Sequence, residues 1–262
     1  MEADCVKRSI DINCDLGESF GIYTFGQDEP LFDLITSCNI ACGFHAGDPA
    51  TMAKTVQIAL QKQVAIGAHP GFPDLQGFGR RNVSLSPREV YEIVLYQIGA
   101  LDSFVQAARG TLHHVKPHGA LYHQAASNPI IAEAIATAVF DFRPQLILYG
   151  LAHSKLVEAG KNKGLKVASE AFIDRRYRSD GTLCPRSQAD ACIDDPITAA
   201  EQALHIAMNR QVLPYDTPAP IPIQADTLCL HGDHASALEI IQQVRQELKD
   251  QKIHVQPAIQ FL

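Results

Sequence analysis

Seven times along this chain of 262 residues, a short apolar run with β character is followed by an amphipathic stretch of helical period. The strand candidates begin near Ser9, Ser37, Val64, His113, Gln145, Lys166 and Asp226. Each is short and apolar on at least one face, as a strand buried in a parallel sheet should be. Four helical stretches open on the same device, a capping residue followed by proline: Asp48-Pro49, Ser86-Pro87, Asn128-Pro129 and Asp195-Pro196. Proline in a first turn has no N–H to leave unsatisfied, and its φ is already helical. The first of these helices is predicted to run to about Gln63 and the second to about Arg109, where Gly110 ends it; a last helix is predicted from about His234 to Asp250. Repeated β-then-α units favour a parallel sheet, closed or doubly wound. No Gly-x-Gly-x-x-Gly follows the first strand, which weakens the dinucleotide-binding, doubly wound alternative. The predicted fold is therefore an α/β, (β/α) barrel of about seven parallel strands, a single domain over residues 1–262. The Pro-rich stretch from Leu213 to Pro222 is expected to be a rigid surface connector on the face opposite the βα loops.

Polar residues gather at the C-terminal ends of the strand candidates. Side chains alternate across a strand, so in Ser9 to Leu16 the set Ile10, Ile12, Cys14 and Leu16 shares one face while Asp11, Asn13 and Asp15 share the other. The apolar face is expected to pack on helices, with the three polar residues pointing into the barrel mouth. The same parity puts His114, Lys116 and His118 together, Glu170 with Asp174, and Cys229 with His231 and Asp233; the second strand ends at His45 and the third at His69. Buried carboxylates are costly unless paired or metal-bound, and barrel active sites lie at the C-terminal strand ends, where the βα loops converge. The candidate catalytic set is Asp11, Asn13, Asp15, His45, His69, Lys116, His118, Glu170, Asp174 and His231.

Two long βα loops carry arginines. Residues Pro70 to Leu85 hold Arg80 and Arg81, and residues Asp174 to Asp194 hold Arg175, Arg176, Arg178 and Arg186. Guanidinium forks match carboxylate and phosphate, so Arg80, Arg81, Arg175 and Arg176 are candidate ligands for an anionic substrate. Composition narrows the function class. With 22 basic and 29 acidic residues the net charge is −7, and there are no basic runs, which argues against nucleic acid or an anionic membrane as partner. No stretch is long and apolar enough to span a bilayer, and the charged N-terminus lacks the apolar core of a signal peptide. Seven cysteines, an odd number, read as reduced thiols of a cytoplasmic protein. Cys38 and Cys42 lack a second pair at zinc-finger spacing. Neither a Gly-x-Ser-x-Gly elbow nor a Gly-x-x-x-x-Gly-Lys-Ser/Thr phosphate loop is present, which favours acid–base or metal-assisted hydrolysis.

Several ordered segments carry a resemblance: DINCDLGES (Asp11 to Ser19), NIACGFHAGD (Asn39 to Asp48), GAHPGFPDLQGFGRR (Gly67 to Arg81), VKPHGALYH (Val115 to His123), EAFIDRRY (Glu170 to Tyr177) and CLHGD (Cys229 to Asp233). Together they resemble the lactam-utilisation (LamB/YcsF) family, understood as the A component of the ATP-dependent 5-oxoprolinase. The resemblance implies a barrel similar to the glycoside-hydrolase and deacetylase type. It also implies ATP-driven opening of 5-oxo-L-proline to L-glutamate, with Mg²⁺ accompanying the ATP and with B and C components as partner subunits. Cys14, Cys38, Cys184 and Cys192 depart from the small or apolar residues expected at those positions, so most thiols read as packing.

On that reading the partners contribute much of the ATP chemistry, and this chain holds the ring and a hydrolytic water. Asp11 or His45 is the expected general base, with Lys116 and His118 stabilising an oxyanion or protonating the ring nitrogen. Two alternatives change the class. Asp11, His45 and His69 could ligate a divalent metal, giving a metal-dependent deacetylase or amidohydrolase for a small carbohydrate or amide. The chain could also be a non-catalytic binding subunit.

Overall fold

The computed structural model describes residues 8–26, 28–186, 188–232 and 236–262. Seven parallel strands, all but the first followed by at least two helical turns, form a closed barrel: β1 (Ser9–Leu16), β2 (Ser37–Ala41), β3 (Ala65–His69), β4 (Leu112–Val115), β5 (Ile147–Leu151), β6 (Lys166–Phe172) and, after a short hairpin, β9 (Thr227–His231). Closure is explicit in the register. β9 pairs with β6 through Glu170 and Thr227, and with β1 through Asp15 and His231. The hairpin strands are β7 (Gln211–Val212) and β8 (Ile221–Pro222), and a last short strand, β10 (His254–Val255), lies parallel to the start of β1.

The helices are α1 (Asp28–Leu31), α2 (Pro49–Gln61), α3 (Pro87–Ala107), α4 (Gly119–Ser127), α5 (Pro129–Phe142), α6 (Lys155–Lys163), α7 (Pro196–Leu204) and α8 (Ala237–Asp250). All four Asx/Ser-Pro devices act as read: Asp48, Ser86, Asn128 and Asp195 each accept backbone N–H groups of the turn they open, and Ser86 with Glu89 completes a capping box. On α3 the buried residues Val90, Val94, Ile98, Leu101 and Val105 recur at helical spacing and face the barrel wall. Removing such a side chain, as in Leu101→Ala, costs roughly 2–5 kcal/mol.

The structure departs from the sequence reading in three places. The first β-unit carries a single helical turn, α1, rather than a full helix. An extra helix, α4, follows β4, and its first residues belong to the site. The predicted start of the last helix, His234, lies outside the described residues; the helix is seen from Ala237. The Pro-rich stretch from Leu213 to Pro222 is not confined to the face opposite the βα loops. It is tied by the β7–β8 hairpin, and it bonds the loop that follows β6: Tyr215 donates its N–H to the Tyr177 carbonyl, and Asp216 accepts from Ser179.

The barrel interior is polar above a small apolar plug of Ile147, Ala168 and Ala258 packed with Tyr149 at the closed end, because alternation turns most of the apolar side chains of the strands outward onto the helices. Ile12, Cys14 and Leu16 of β1 are fully buried in that outer layer, while Asp11, Asn13 and Asp15 point inward. Gly67 on β3 makes room in this interior, since a Cβ there would overlap the His114 ring. The strand register slips at the same point, between Ile66 and Gly67.

Candidate active site

The inward residues form three layers. At the closed end Asp11 is fully buried; Oδ1 accepts from Thr36 and Ser37 at 2.6 and 2.8 Å, and Oδ2 from Tyr149 and Thr227 at 3.0 and 2.6 Å. Burial pushes this carboxyl up, partly opposed by those four hydroxyl donors. Above it, Asn39 donates to Asn13 Oδ1 (2.7 Å) and to Asp15 Oδ1 (2.8 Å), and Asn13 donates to Glu170 Oε1 (2.9 Å). His114, stacked on Tyr149, donates from Nε2 to Asn39 Oδ1 at 2.8 Å.

Lys116 joins this layer to the mouth. Its ammonium lies 2.8 Å from Glu170 Oε1, 2.9 Å from Asp15 Oδ1, 3.1 Å from Asn13 Oδ1 and 3.1 Å from the Cys229 sulfur. Burial alone would lower the lysine; the charges of Asp15 and Glu170 outweigh it and hold Lys116 well above its ordinary value. Burial likewise raises Asp15, and His69 and Lys116 together hold it well below the usual carboxylate range. Tyr122, from α4, donates to the other Glu170 oxygen at 2.7 Å.

At the mouth three imidazoles meet. His69, the last residue of β3, faces the Lys116 carbonyl through Nδ1 (2.8 Å), and its Nε2 lies 3.3 Å from Asp15 Oδ2. His118 caps α4; its Nε2 faces the Phe78 carbonyl at 2.8 Å, and its Nδ1 lies 3.0 Å from His69 Nε2. His45 stacks face to face on His118 with centroids 3.7 Å apart. Burial is the main force holding His45 and His118 well below the ordinary imidazole value. The arrangement depends on the loop from Pro70 to Leu85, which turns through Gly79 at φ +64°. A Cβ there would sit 2.8 Å from both His118 Cδ2 and His45 Cβ.

These groups open onto a cavity of about 460 Å³ lined by Asp15, His69, Lys116, His118 and His231, with Arg80 and Arg175 from the two long loops. His231 donates from Nδ1 to Asp174 Oδ2 at 2.7 Å, and Phe172 stacks on its ring. Burial raises Asp174, but the neighbouring His231, then Arg186 and Arg175, bring it below its ordinary value. The loop after β6 is folded rather than loose, with bridges between Arg175 and Cys192 and between Tyr177 and Leu183; the Arg175 guanidinium donates to the Cys184 carbonyl.

Ten candidate catalytic residues thus fall into different places. Asp15, His69, Lys116, His118 and His231 line the cavity; Asn13, Glu170 and Asp174 brace them from below or behind; His45 lies behind His118. Asp11 is the correction. It does not reach the mouth, because its strand position places it at the closed end, and it does not group with His45 and His69. Among the described residues the donor sets with metal-ligand spacing are Glu18, His45, His69 and His118, and Asp15, Cys229 and His231. Two arginines are corrected as well. Arg81 turns to the outside and pairs with Asp74, its Nε 3.0 Å from Oδ1, and Arg176 does not line the cavity; Arg186 lines it instead. Asp233 lies outside the described residues.

Sequence reasoning missed Glu18, Tyr122 and His123. Glu18 follows Gly17, whose φ of +70° turns the chain, so strand alternation no longer says where it points. Tyr122 and His123 sit on α4, the helix the pattern did not announce. His123 lines the cavity and is pushed down to about 4, by burial first and then by Arg175, His231 and Arg186. The described cysteines are free thiols. Burial raises Cys42 to about 12 and Cys229 well above its ordinary value, so neither is a ready thiolate.

Comparison with known proteins fits this geometry. The A component of 5-oxoprolinase from Brevibacillus brevis is 55% identical over 241 residues, covering 92% of this chain and 94% of that protein. The protein of the same name from Bacillus subtilis is 52% identical over 246 residues, covering 94% and 95%. The crystal structure of the lactam utilization protein from Thermus thermophilus superposes with a TM-score of 0.89 at 45% identity, over 95% of this chain and 99% of that one. The family model described as "LamB/YcsF family" matches residues 10–262, so the chain belongs to the LamB/YcsF family.

Proposed function

We propose that this chain is the A component of a multi-subunit 5-oxoprolinase of the cytoplasm, and that it takes part in ATP-dependent opening of 5-oxo-L-proline to L-glutamate. The observation that carries the reading is the match, over nearly the whole length of both chains, to relatives named for that role. The cavity has the chemistry such a substrate asks for. A five-membered lactam carrying a carboxylate is small, anionic and rich in acceptors, and Arg80 and Arg175 reach the cavity beside imidazoles and a buried lysine.

An unstrained amide resists water at neutral pH. Phosphorylation of the lactam oxygen turns it into an imidate-like electrophile. Water then adds at the former carbonyl carbon, the C–N bond breaks as the ring nitrogen takes a proton, and a second water releases phosphate. The sequence holds no familiar phosphate loop, so the phosphoryl transfer, with its Mg²⁺, is assigned mainly to the partner B and C components. In this chain the His69–His118 pair is the candidate for moving the proton, since both rings line the cavity and their facing nitrogens are 3.0 Å apart. Lys116, held as ammonium by Asp15 and Glu170, is the candidate for stabilising negative charge on oxygen. Asp11 has no part in this scheme, because hydroxyl donors occupy both of its oxygens.

The test is reconstitution. The chain is mixed with the B and C components, ATP and 5-oxoproline, and glutamate and phosphate are measured. Glutamate formation that needs all of them is the expected result. No glutamate from the full set overturns the function, and full-rate turnover by this chain alone overturns the division of labour.

A further inference from the structure

The His69 and His118 rings face each other in a way their own hydrogen bonds do not explain. A backbone carbonyl only accepts, so His69 Nδ1 carries its hydrogen toward Lys116 O, and His118 Nε2 carries its hydrogen toward Phe78 O. In the neutral rings this leaves lone pairs on His69 Nε2 and His118 Nδ1, and these two atoms lie 3.0 Å apart. Two lone pairs at that distance repel unless a cation lies between them. A carbonyl or carboxylate on the far nitrogen is the arrangement that orients metal-bound imidazoles.

A proton on His69 Nε2, drawn by Asp15 Oδ2 at 3.3 Å and shared with His118 Nδ1, would relieve that contact but leaves a second observation untouched. His45 is 1% exposed, and neither of its ring nitrogens has a hydrogen-bond partner. A buried polar group of this kind calls for an ion or a water. Its Nε2 lies 3.6 Å from Glu18 Oε1, and the same oxygen is 3.7 Å from His118 Nδ1. Donor atoms of Glu18, His45, His69 and His118 all lie within 4.8 Å of one another. Bonds of about 2.0–2.1 Å put neighbouring ligands roughly 3.0–3.4 Å apart, close to the separations found here. The other set with ligand spacing, Asp15, Cys229 and His231, already has the Lys116 ammonium 2.9 Å from Asp15 and 3.1 Å from Cys229.

We propose that Glu18, His69 and His118 bind a divalent transition-metal ion with zinc-like ligand preference, and that His45 holds the water in its open position. The stacking assigns His45 that place. Its ring lies face to face on His118, 2° from parallel, so one ion cannot lie in both ring planes. Two imidazoles and one carboxylate with an open position is a set that catalytic zinc uses. Imidazole and carboxylate donors also favour such an ion over magnesium, which takes oxygen ligands and keeps its water. The site borders the cavity through His69 and His118; an ion on their facing nitrogens would take the place of the proton-moving role given to that pair above, and the site stands whether or not the substrate is 5-oxoproline.

The experiment uses untagged full-length chain stripped with a chelator, then titrated with Zn²⁺ by competition against a chromophoric chelator and with Co²⁺ by visible absorption. One equivalent per chain is expected, with Co²⁺ bands of a four- or five-coordinate site. Glu18→Gln, the near-isosteric change, and His118→Asn should each weaken binding by more than the about 10–100-fold typical of an outer-shell change. His205→Asn, on the exposed turn after α7, should bind as wild type. Thermal unfolding checks that each variant is folded, and Glu18→Gln carries the test if His118→Asn is not. Binding well below one equivalent, or binding that both variants retain, overturns the proposal; so does a site that takes Mg²⁺ as readily as Zn²⁺. Because no turnover is measured, failure here is separate from failure of the 5-oxoprolinase reading.

Discussion

At the closed end of the barrel Asp11 meets four hydroxyl donors and no cavity; further along the same strand Asp15 meets a lysine, an asparagine and a histidine beside open space. Both carboxylates are buried, and both come from the same face of β1. Burial shifts the first up, and charged neighbours hold the second down. A buried acid in a barrel interior is therefore not a site by itself. The partners decide: hydroxyls that satisfy every lone pair make a structural hub, while cations and imidazoles next to a void make a reactive one.

The strongest test of this contrast is Lys116→Met. It strands Asp15 and Glu170 as buried charges without their counterion, and loss of one partner from such a pair costs roughly 3–5 kcal/mol. Urea unfolding should report a drop of that size, and the reconstituted reaction should stop; unchanged stability would mean that the three charges do not form one unit. His118→Asn separates chemistry from folding at the mouth. Loss of a positioned acid–base group should slow glutamate formation by roughly 10²–10⁴-fold, with the unfolding midpoint nearly unmoved, and a rate close to wild type would remove His118 from the scheme.

At the closed end the pattern should invert. Asp11→Asn replaces an acceptor oxygen by a donor among hydroxyls that already donate, at about 1–3 kcal/mol in stability, while folded protein turns over within about twofold of wild type. A rate collapse in folded Asp11→Asn would erase the distinction between the two ends. Asp174 offers a pH test. Its carboxyl titrates lower in the folded chain than the about 3.9 of an unfolded one. The folded state therefore binds its proton less readily. The ionised form stabilises the protein above about pH 4, and that contribution is lost as the pH falls through the folded value. Urea midpoints measured from pH 6 downward should fall more steeply for wild type than for Asp174→Asn, and parallel curves would contradict the His231 pairing. The smallest effect belongs to Arg81→Gln. The Arg81 side chain is 63% exposed, and its buried partner Asp74 still accepts from the Gly77 N–H when the guanidinium is gone; a pair open to solvent on one side is worth about 1 kcal/mol, so activity and stability should both stay near wild type.

Much of the fold was legible because strands and helices announce themselves by period and by caps. The seven barrel strands start within two residues of the expected positions, and each Pro-capped helix starts at its proline. Parity alone picked out the inward set on β1, β4 and β6. What parity lacks is depth. It sorts residues by face and says nothing of height along the barrel axis, so Asp11 and Asp15 looked alike. Beyond the strand ends it fails altogether. Glu18 and the Arg80–Arg81 pair sit where the chain turns, and which of two adjacent arginines faces inward is decided by the contact of Arg81 with Asp74. α4 escaped notice because it opens on His118-Gly119, without a side-chain cap.

The carbonyl of Phe78 reaches His118 from forty positions earlier in the chain. Which edge of that imidazole bears hydrogen is therefore chosen by the backbone of a rim segment. Displacing the segment would free the edge and let the ring exchange its donor and acceptor sides, so a mechanical event at the rim would register as a reversal of polarity at the reacting centre.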